Sequence, residues 1–445
     1  MLSSLLKHTL CLATGALALS AALPAAAQFS LGAEYEALGY SKEATHNPVA
    51  RLQQQLDSGE ITLEYRQDHG YFAALIAALG IDLSSQVLVF SPTSLQYRLI
   101  GNKTPRALYF SDDTYIGLVQ NSTIIEVTTH DEILGTVFYI FNNVKDQPHH
   151  LVRENERCLV CHDSGGLGVG GVPQLMVRSG LFDQRGFLLQ DFSGVDNTSD
   201  TTPIAERWGG WYVTGQHGAQ PHLGNIILND ATQLTQVAAL RQGNLDTLEN
   251  AGFFTTSHYP RATSDIVALL VLEHQVTVEN QITYVKFKAP RVLERTGHGD
   301  AVNASSWAEL PVSAQKVLTR MLDKLADALL FVAAAPFEDR ISGAADYAAW
   351  FQQQGPRDAQ GRGLRDFALD TRLFRYPLSY LVLSRDFDSL PPYAKDYVYQ
   401  QIAARLAHDT TLSATAEERQ AALEILSVLK EDFAPYAALA SARAQ

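Results

Sequence analysis

The sequence predicts a segregated α+β protein, with antiparallel strands before and around one short cysteine–histidine motif and helices after it. Between residues 86 and 142, short runs of β-branched and aromatic residues alternate with polar turns, a pattern typical of antiparallel strands. From residue 231 onward, apolar residues recur at helical spacing between residues that begin or end helices. Because strands and helices occupy separate stretches of the chain, we expect an antiparallel β-rich N-terminal half around the motif and a helical C-terminal half.

The first 27 residues have the three parts of an export signal. Lys7 and His8 form a short polar start, an apolar run follows over residues 10–23, and small residues close the segment at 24–27. The apolar run is shorter than the roughly 18 residues needed to span a bilayer. We therefore expect cleavage near Ala27 and a mature chain in the periplasm. A retained membrane anchor is the alternative.

Residues 28–150 are expected to form a β-rich domain. Helical patterns at 48–56 and 69–79 precede five runs with strand character. The strand-like runs lie at 87–90, 107–110, 115–119, 124–127 and 137–141. We expect them to pair as an antiparallel meander or a small barrel.

The motif at residues 158–162 reads Cys-Leu-Val-Cys-His. The chain has three cysteines, and the third, Cys11, lies in the expected signal. In a C-x-x-C-H motif, Cys158 and Cys161 can each form a thioether to one porphyrin, and His162 can supply the axial nitrogen to the iron. We therefore predict one covalent haem c in a segment spanning residues 151–230.

Other sites also use paired cysteines at this spacing. A zinc site would need two more ligands, and the chain has no second C-x-x-C. A redox dithiol or a disulfide would leave His162 without a role. Export favours haem, because covalent haem is attached on the outer side of the bacterial cytoplasmic membrane.

The motif resembles that of c-type cytochromes over residues 157–163. The wider segments 207–218, 264–275 and 371–380 are similar to a group of large exported bacterial proteins that carry one haem site and have no assigned reaction. This resemblance implies a haem protein of unassigned reaction. Di-haem cytochrome peroxidases have two such motifs, so their electron relay is not carried over to this chain.

The sixth ligand of the iron is open. Small cytochromes c place a methionine some tens of residues after the motif, whereas Met176 follows His162 by 14 residues and Met321 by 159. Histidine is therefore at least as good a choice. The candidates are His274 and His217, followed by His222 and Met176.

Two further segments could border the haem. In the aromatic stretch 206–217, Arg207 is a candidate partner for a propionate and Trp211 a candidate for packing on the porphyrin; a tight aromatic turn in a core is the alternative. Residues 165–171 contain five glycines. They resemble a phosphate loop, but no Lys-Ser/Thr follows, so a close approach of the backbone to the porphyrin is the better interpretation.

Residues 231–445 are expected to be mainly helical and to cover the haem and the sheet. The helical patterns begin or lie at 231–241, 264, 313, 344–354, 391–407 and 416–430, with an apolar core run at 328–335. A haem between this part and the strands would occupy a pocket at their interface.

The sequence indicates a periplasmic mono-haem cytochrome that transfers electrons between partner proteins. The alternative is a haem oxidoreductase, with an accessible iron acting on peroxide, oxygen, nitrogen oxides or an organic substrate. Chain length favours the enzyme, the lack of a second redox centre favours the carrier, and a haem-based sensor ranks last.

The composition bears on partners. A net charge of −14 argues against nucleic acid and weakly favours basic redox proteins, although solubility explains it equally well. No stretch after the signal is long and apolar enough to span a bilayer.

Overall fold

The chain forms a mixed α/β structure with its sheet in the N-terminal half and its helices in the C-terminal half. The structure, a computed structural model, describes residues 39–163, 171–189, 196–249 and 251–442. The expected export signal and most of the glycine-rich loop lie outside these residues. Within them, a seven-stranded antiparallel sheet precedes a long series of helices, which confirms the predicted segregation at this level.

The five predicted strand runs form consecutive neighbours in the sheet. The strands are β1 Val87–Val89, β2 Arg106–Phe110, β3 Thr114–Leu118, β4 Ile124–Asp131, β5 Gly135–Asn142, β6 Leu151–Arg153, β7 Arg178–Ser179, β8 Asp196–Asn197, β9 Trp211–Tyr212, β10 Gly215–Gln216, β11 Ser342–Gly343, β12 Phe367–Ala368 and β13 Arg372–Phe374. The main sheet has the order β6-β5-β4-β3-β2-β1-β9, and its pairs are antiparallel. The predicted meander is therefore present as an open sheet and not as a barrel.

The sequence at 174–192 alternates like two strands joined near Asp183–Gly186, and over the described part, residues 174–189, the structure contains less strand than this pattern predicts. Strands β7 and β8 have two residues each, and a single bridge pairs Phe182 with Leu188. The turn between them lies at the predicted place, because Gly186 N–H donates to the carbonyl of Asp183. The side chain of Asp183 accepts from the N–H groups of Arg185 and Phe187, so this turn is held by a carboxylate instead of a longer ladder.

The helices match most of the predicted segments. They are α1 Pro48–Asp57, α2 Phe72–Ala78, α3 Glu156–His162, α4 Val237–Leu240, α5 Ile266–Arg295, α6 Val312–Leu329, α7 Tyr347–Gln353, α8 Arg385–Asp388, α9 Pro392–His408, α10 Ala416–Leu429 and α11 Ala434–Ala442. Helix α1 begins where the sequence indicates, since the Asn47 side chain accepts from Ala50 N–H and proline occupies the first turn. The segment 231–241 is a 3₁₀ turn followed by the short α4.

Helix α5 is the central helix of the molecule. The carboxylate of Asp265 caps it by accepting from the N–H groups of Val267 and Ala268. The helix has 30 residues and is roughly 45 Å long at 1.5 Å per residue. Most of its side chains are buried, because the sheet packs on one side of it and α6 on another.

The sheet lies between two layers of helices. Alternate residues of a strand point to opposite faces. On one face, Leu88 and Ile116 pack with Phe72 of α2. On the other face, Val87 and Tyr115 belong to the core that contains α5. One face of the sheet therefore meets the N-terminal helices and the other meets the helical half.

The predicted apolar run 328–335 is helical only in its first two residues. Helix α6 ends at Leu329, and Phe331 and Ala333 have φ angles of 54° and 58°. Val332 N–H turns back to the carbonyl of Asp327. A left-handed backbone cannot continue a right-handed helix, so the run leaves the helix as a tight apolar turn. Of the helices that the structure describes, none has both the length and the apolar character needed to cross a bilayer.

Candidate functional site

The motif lies on α3, directly after the edge strand β6. Leu159 is completely buried and anchors this short helix in the core beneath the sheet. Cys158 is partly buried and Cys161 is exposed. Residues three positions apart on a helix lie on the same side of it, so α3 presents the two thiols together.

His162, at the end of α3, has one nitrogen fixed and one available. Its Nδ1 lies 2.8 Å from the carbonyl oxygen of Gln174, and its ring packs 4.7 Å from that of Phe138. Burial lowers the pKa of His162 to about 4, and the positive charges of Arg106 and Arg178 act in the same direction. The neutral ring donates Nδ1–H to the carbonyl and keeps the lone pair on Nε2, which no described residue hydrogen-bonds.

The Cys158 thiol stays protonated at neutral pH. Burial raises its pKa to about 12, and the negative charges of Glu126 and Glu154 raise it further, against the effect of Arg157 and Arg106. Zinc ligation and disulfide exchange both use the thiolate. The environment of Cys158 therefore favours neither alternative, whereas a buried thiol is compatible with a thioether.

An ion pair on the sheet lies next to the motif, and a glycine between its two residues leaves the space that it needs. Arg106 of β2 and Glu126 of β4 approach to 2.7 Å across β3. The residue of β3 between them is Gly117, where an added Cβ would lie 2.6 Å from Arg106 Nε. The pair borders the motif, since both charges act on the Cys158 thiol.

Asn280 of α5 holds the segment that follows the motif. Its Oδ1 accepts from Leu175 N–H at 3.1 Å, and its Nδ2 donates to the Leu175 carbonyl at 2.8 Å. The preceding residue, Gln174, supplies the carbonyl that orients His162. Sequence analysis missed Asn280, because one polar residue inside an apolar helix gives no indication of its partner.

Met176, a candidate for the sixth ligand, and Trp211, a candidate pocket residue, lie beside this segment. The Sδ of Met176 is 3.3 Å from Nη2 of Arg178, whose charge lowers the pKa of His162. The indole Nε1 of Trp211 donates to the carbonyl of Arg178 at 2.7 Å. The structure therefore places Met176 and Trp211 in contact with one residue that borders the proximal histidine.

Arg207 and His274 lie in a second buried network. Arg207 pairs with Glu273 at 3.0 Å and donates to two backbone carbonyls, those of Asp200 and Thr202. His274 Nδ1 lies 2.7 Å from Asp200 Oδ2, and its Nε2 lies 2.7 Å from the Oγ of Ser379. Protein groups thus occupy both ring nitrogens of His274 and the guanidinium of Arg207.

His217 and His222 form a third group near the start of α5. Their ring centroids are 4.5 Å apart, and His217 Nδ1 is 2.8 Å from the carbonyl of Gln220. The chain before His217 bonds to the first residue of α5, through Ile266 N–H and the Thr214 carbonyl. Asn280 is 14 residues further along this helix, about 21 Å at 1.5 Å per residue. The structure therefore does not bring these histidines to the motif.

Comparisons with known proteins do not identify this site, so its interpretation rests on the geometry of the described residues. In the described parts of the chain, no three histidine, cysteine, aspartate or glutamate side chains form a group that could hold a metal ion. Searches against protein-family models, curated proteins and solved structures find no match for this chain, so no family membership is established.

Proposed function

We propose that this protein is a periplasmic c-type cytochrome that carries one haem c on Cys158 and Cys161, with His162 as the proximal iron ligand. The geometry of His162 carries the proposal: its Nδ1 is fixed by a carbonyl at 2.8 Å and its Nε2 is left available. Metal-binding histidines are usually oriented by such a hydrogen bond on the other ring nitrogen. When bound, the haem would supply one-electron redox chemistry at this site.

The thiols support the same assignment. They lie three positions apart on α3, and Cys161 is exposed to solvent. The placement of the β-rich half around the motif is supported by the contact of His162 with Phe138 of β5 and by the burial of Leu159. The chain's own residues thus hold the imidazole neutral and fixed, and place both sulfur atoms on one short helix.

For the sixth ligand, the contacts favour testing Met176 before the histidines. Met176 lies next to Arg178, which borders His162, whereas both nitrogens of His274 are hydrogen-bonded and His217 belongs to a separate group. Substitution of a true ligand changes a low-spin haem spectrum to high-spin. A low-spin spectrum retained in Met176→Ala would return the assignment to His274 and His217.

The decisive experiment is expression in a host with haem-attachment machinery. We expect haem that stays with the polypeptide under denaturing conditions, and its complete loss in the double variant Cys158→Ser/Cys161→Ser. Val160→Ala, an exposed change between the cysteines, is the matched control and should retain haem. Absence of covalent haem from the wild-type protein would contradict the proposal.

The same preparation separates the two roles of the haem. If carbon monoxide does not change the spectrum of the reduced protein, the iron has two strong axial ligands, which favours electron transfer between periplasmic partner proteins. A spectrum that shifts with carbon monoxide means an accessible iron and favours the oxidoreductase. Cell fractionation and N-terminal sequencing of the purified chain test export and cleavage near Ala27.

A further inference from the structure

Three polar side chains from distant parts of the chain form a hydrogen-bonded row. Ser379 Oγ lies 2.7 Å from His274 Nε2, and His274 Nδ1 lies 2.7 Å from Asp200 Oδ2. The order is hydroxyl, imidazole and carboxylate, which is the arrangement that activates a serine nucleophile. Ser379 and Asp200 lie 105 and 74 residues from His274 in the sequence, so the row is not a local turn motif.

The hydrogen bonds fix the protons in the order that a general base needs. The Asp200 carboxylate accepts from His274 Nδ1–H, so the lone pair of the ring lies on Nε2 and accepts from the Ser379 hydroxyl. The Ser379 oxygen also accepts from Leu381 N–H at 3.2 Å. That contact uses an oxygen lone pair and leaves the hydroxyl proton directed at His274.

A cleft adjoins the row on the side of Asp200. Its cavity volume is small, about 40 Å³, and Asp200 forms part of its wall. Most of the lining is apolar and includes Leu270, Leu330, Phe331, Phe337, Leu373 and Phe374. The guanidinium groups at its edge are paired within the protein, Arg207 with Glu273 and Arg372 with Glu418. The cleft therefore suits an uncharged apolar group better than an anion.

Phe331 separates the cleft from the histidine. Its ring lines the cleft and stacks on His274 at 4.4 Å between centroids, while Ser379 and His274 are fully buried. Phe331 and Ala333 have φ angles of 54° and 58°, a left-handed conformation that residues other than glycine adopt infrequently. The turn that carries this ring is thus in a strained conformation, and rotation of the ring would open the cleft toward Ser379.

We propose that Ser379 is the nucleophile of an esterase site for small apolar acyl groups, with His274 as its base, Asp200 as the positioning residue and Phe331 as the gate. This activity uses none of the three haem-attachment residues, and it requires His274 to be a base and not an iron ligand. Ser379 Oγ bonds to the ester carbonyl carbon as its proton passes to His274 Nε2, which then protonates the departing alcohol. Water repeats the sequence and releases the carboxylic acid.

The test is covalent labelling of the purified full-length protein with an alkyl fluorophosphonate, read by intact mass and peptide mapping. We expect one adduct on Ser379, none in Ser379→Ala, and at least ten-fold slower labelling in Asp200→Asn, where the base loses its oriented tautomer. Phe331→Ala should label faster than the wild type. Hydrolysis of 4-nitrophenyl butyrate should follow the same order.

Ser264→Ala is the matched control, because Ser264 is equally buried and bonds to a backbone carbonyl instead of a histidine. It should label like the wild type. If folded wild-type protein and folded Phe331→Ala both leave Ser379 unlabelled, the row is structural and the proposal is overturned. An adduct on any other residue, unaffected by Ser379→Ala, overturns it as well.

Discussion

Asn280 of α5 hydrogen-bonds to both backbone groups of Leu175: it accepts from the N–H and donates to the carbonyl. The neighbouring carbonyl of Gln174 is the partner of His162 Nδ1. One amide side chain on the central helix thus fixes the backbone that orients the proposed haem ligand. The orientation of the imidazole therefore depends on the packing of the helical half against the motif segment.

Replacement of Asn280 by alanine should weaken the fold and loosen His162. Two hydrogen bonds are lost and both backbone groups of Leu175 lose their partner, so we expect a decrease of about 1–3 kcal/mol in the free energy of unfolding. Urea unfolding followed by tryptophan fluorescence measures this. Thr277→Ala, on the same helix, removes only a bond to the helix's own backbone and should cost far less. Equal losses in the two variants would contradict the role of Asn280.

The local patterns of the sequence predicted the fold better than the site. The strands and most helices were predictable, because alternation and helical spacing are properties of neighbouring residues. The contacts that organise the site join residues far apart, as in Asn280 with Leu175, separated by 105 positions, and Arg207 with Glu273, separated by 66. Such pairs arise only when the segments that follow the motif pack against α5. Short-range patterns carry no information about them.

The buried pair of Arg207 and Glu273 supplies a second prediction. Both side chains are almost completely buried, and their charged atoms are 3.0 Å apart. Glu273→Gln leaves the guanidinium buried without its counter-charge, which should cost about 3–5 kcal/mol of folding free energy. The double variant Arg207→Met/Glu273→Leu should recover most of that loss.

Haem spectra and midpoint potentials of the same variants test the sequence-based prediction for Arg207. If Arg207 contacts a propionate, the double variant should shift the potential even where its stability is restored. An unchanged potential, together with restored stability, would assign Arg207 a purely structural role.

The stability that Glu279 and His130 contribute should fall as the pH rises from about 5 to 8. Burial raises the pKa of Glu279 from 4.5 to about 7, although His130 and Tyr115 lower it. Burial lowers the pKa of His130, but the negative charges of Glu279 and Asp386 raise it by more, so the pKa of His130 is raised as well. Both groups therefore bind protons more tightly in the folded state. The stability they contribute is present below their unfolded pKa values and is lost as the pH rises through the folded ones.

Glu279→Gln should reduce this pH dependence. The slope of the free energy of unfolding against pH, measured by urea at several pH values between 4.5 and 8, should be more positive in the variant than in the wild type. Asp265, whose pKa burial raises to about 6, keeps part of the slope in place. Glu431→Gln, at an exposed position, is the control and should leave the slope unchanged. A slope more negative in Glu279→Gln than in the wild type would mean that the sign of the effect is wrong.

Gly117→Ala should displace the ion pair beneath the motif. An added Cβ would lie 2.6 Å from both Nε and Nη2 of Arg106, so the guanidinium has to move away from Glu126. Because the guanidinium ends a flexible side chain, the expected cost is that of losing a partly exposed ion pair, up to about 1 kcal/mol. Gly101→Ala is the matched control, since an added methyl there meets no atom within 4 Å. Thermal unfolding of the two variants compares the costs. A Gly117→Ala variant as stable as Gly101→Ala would mean that Arg106 has an alternative path to Glu126 across β3.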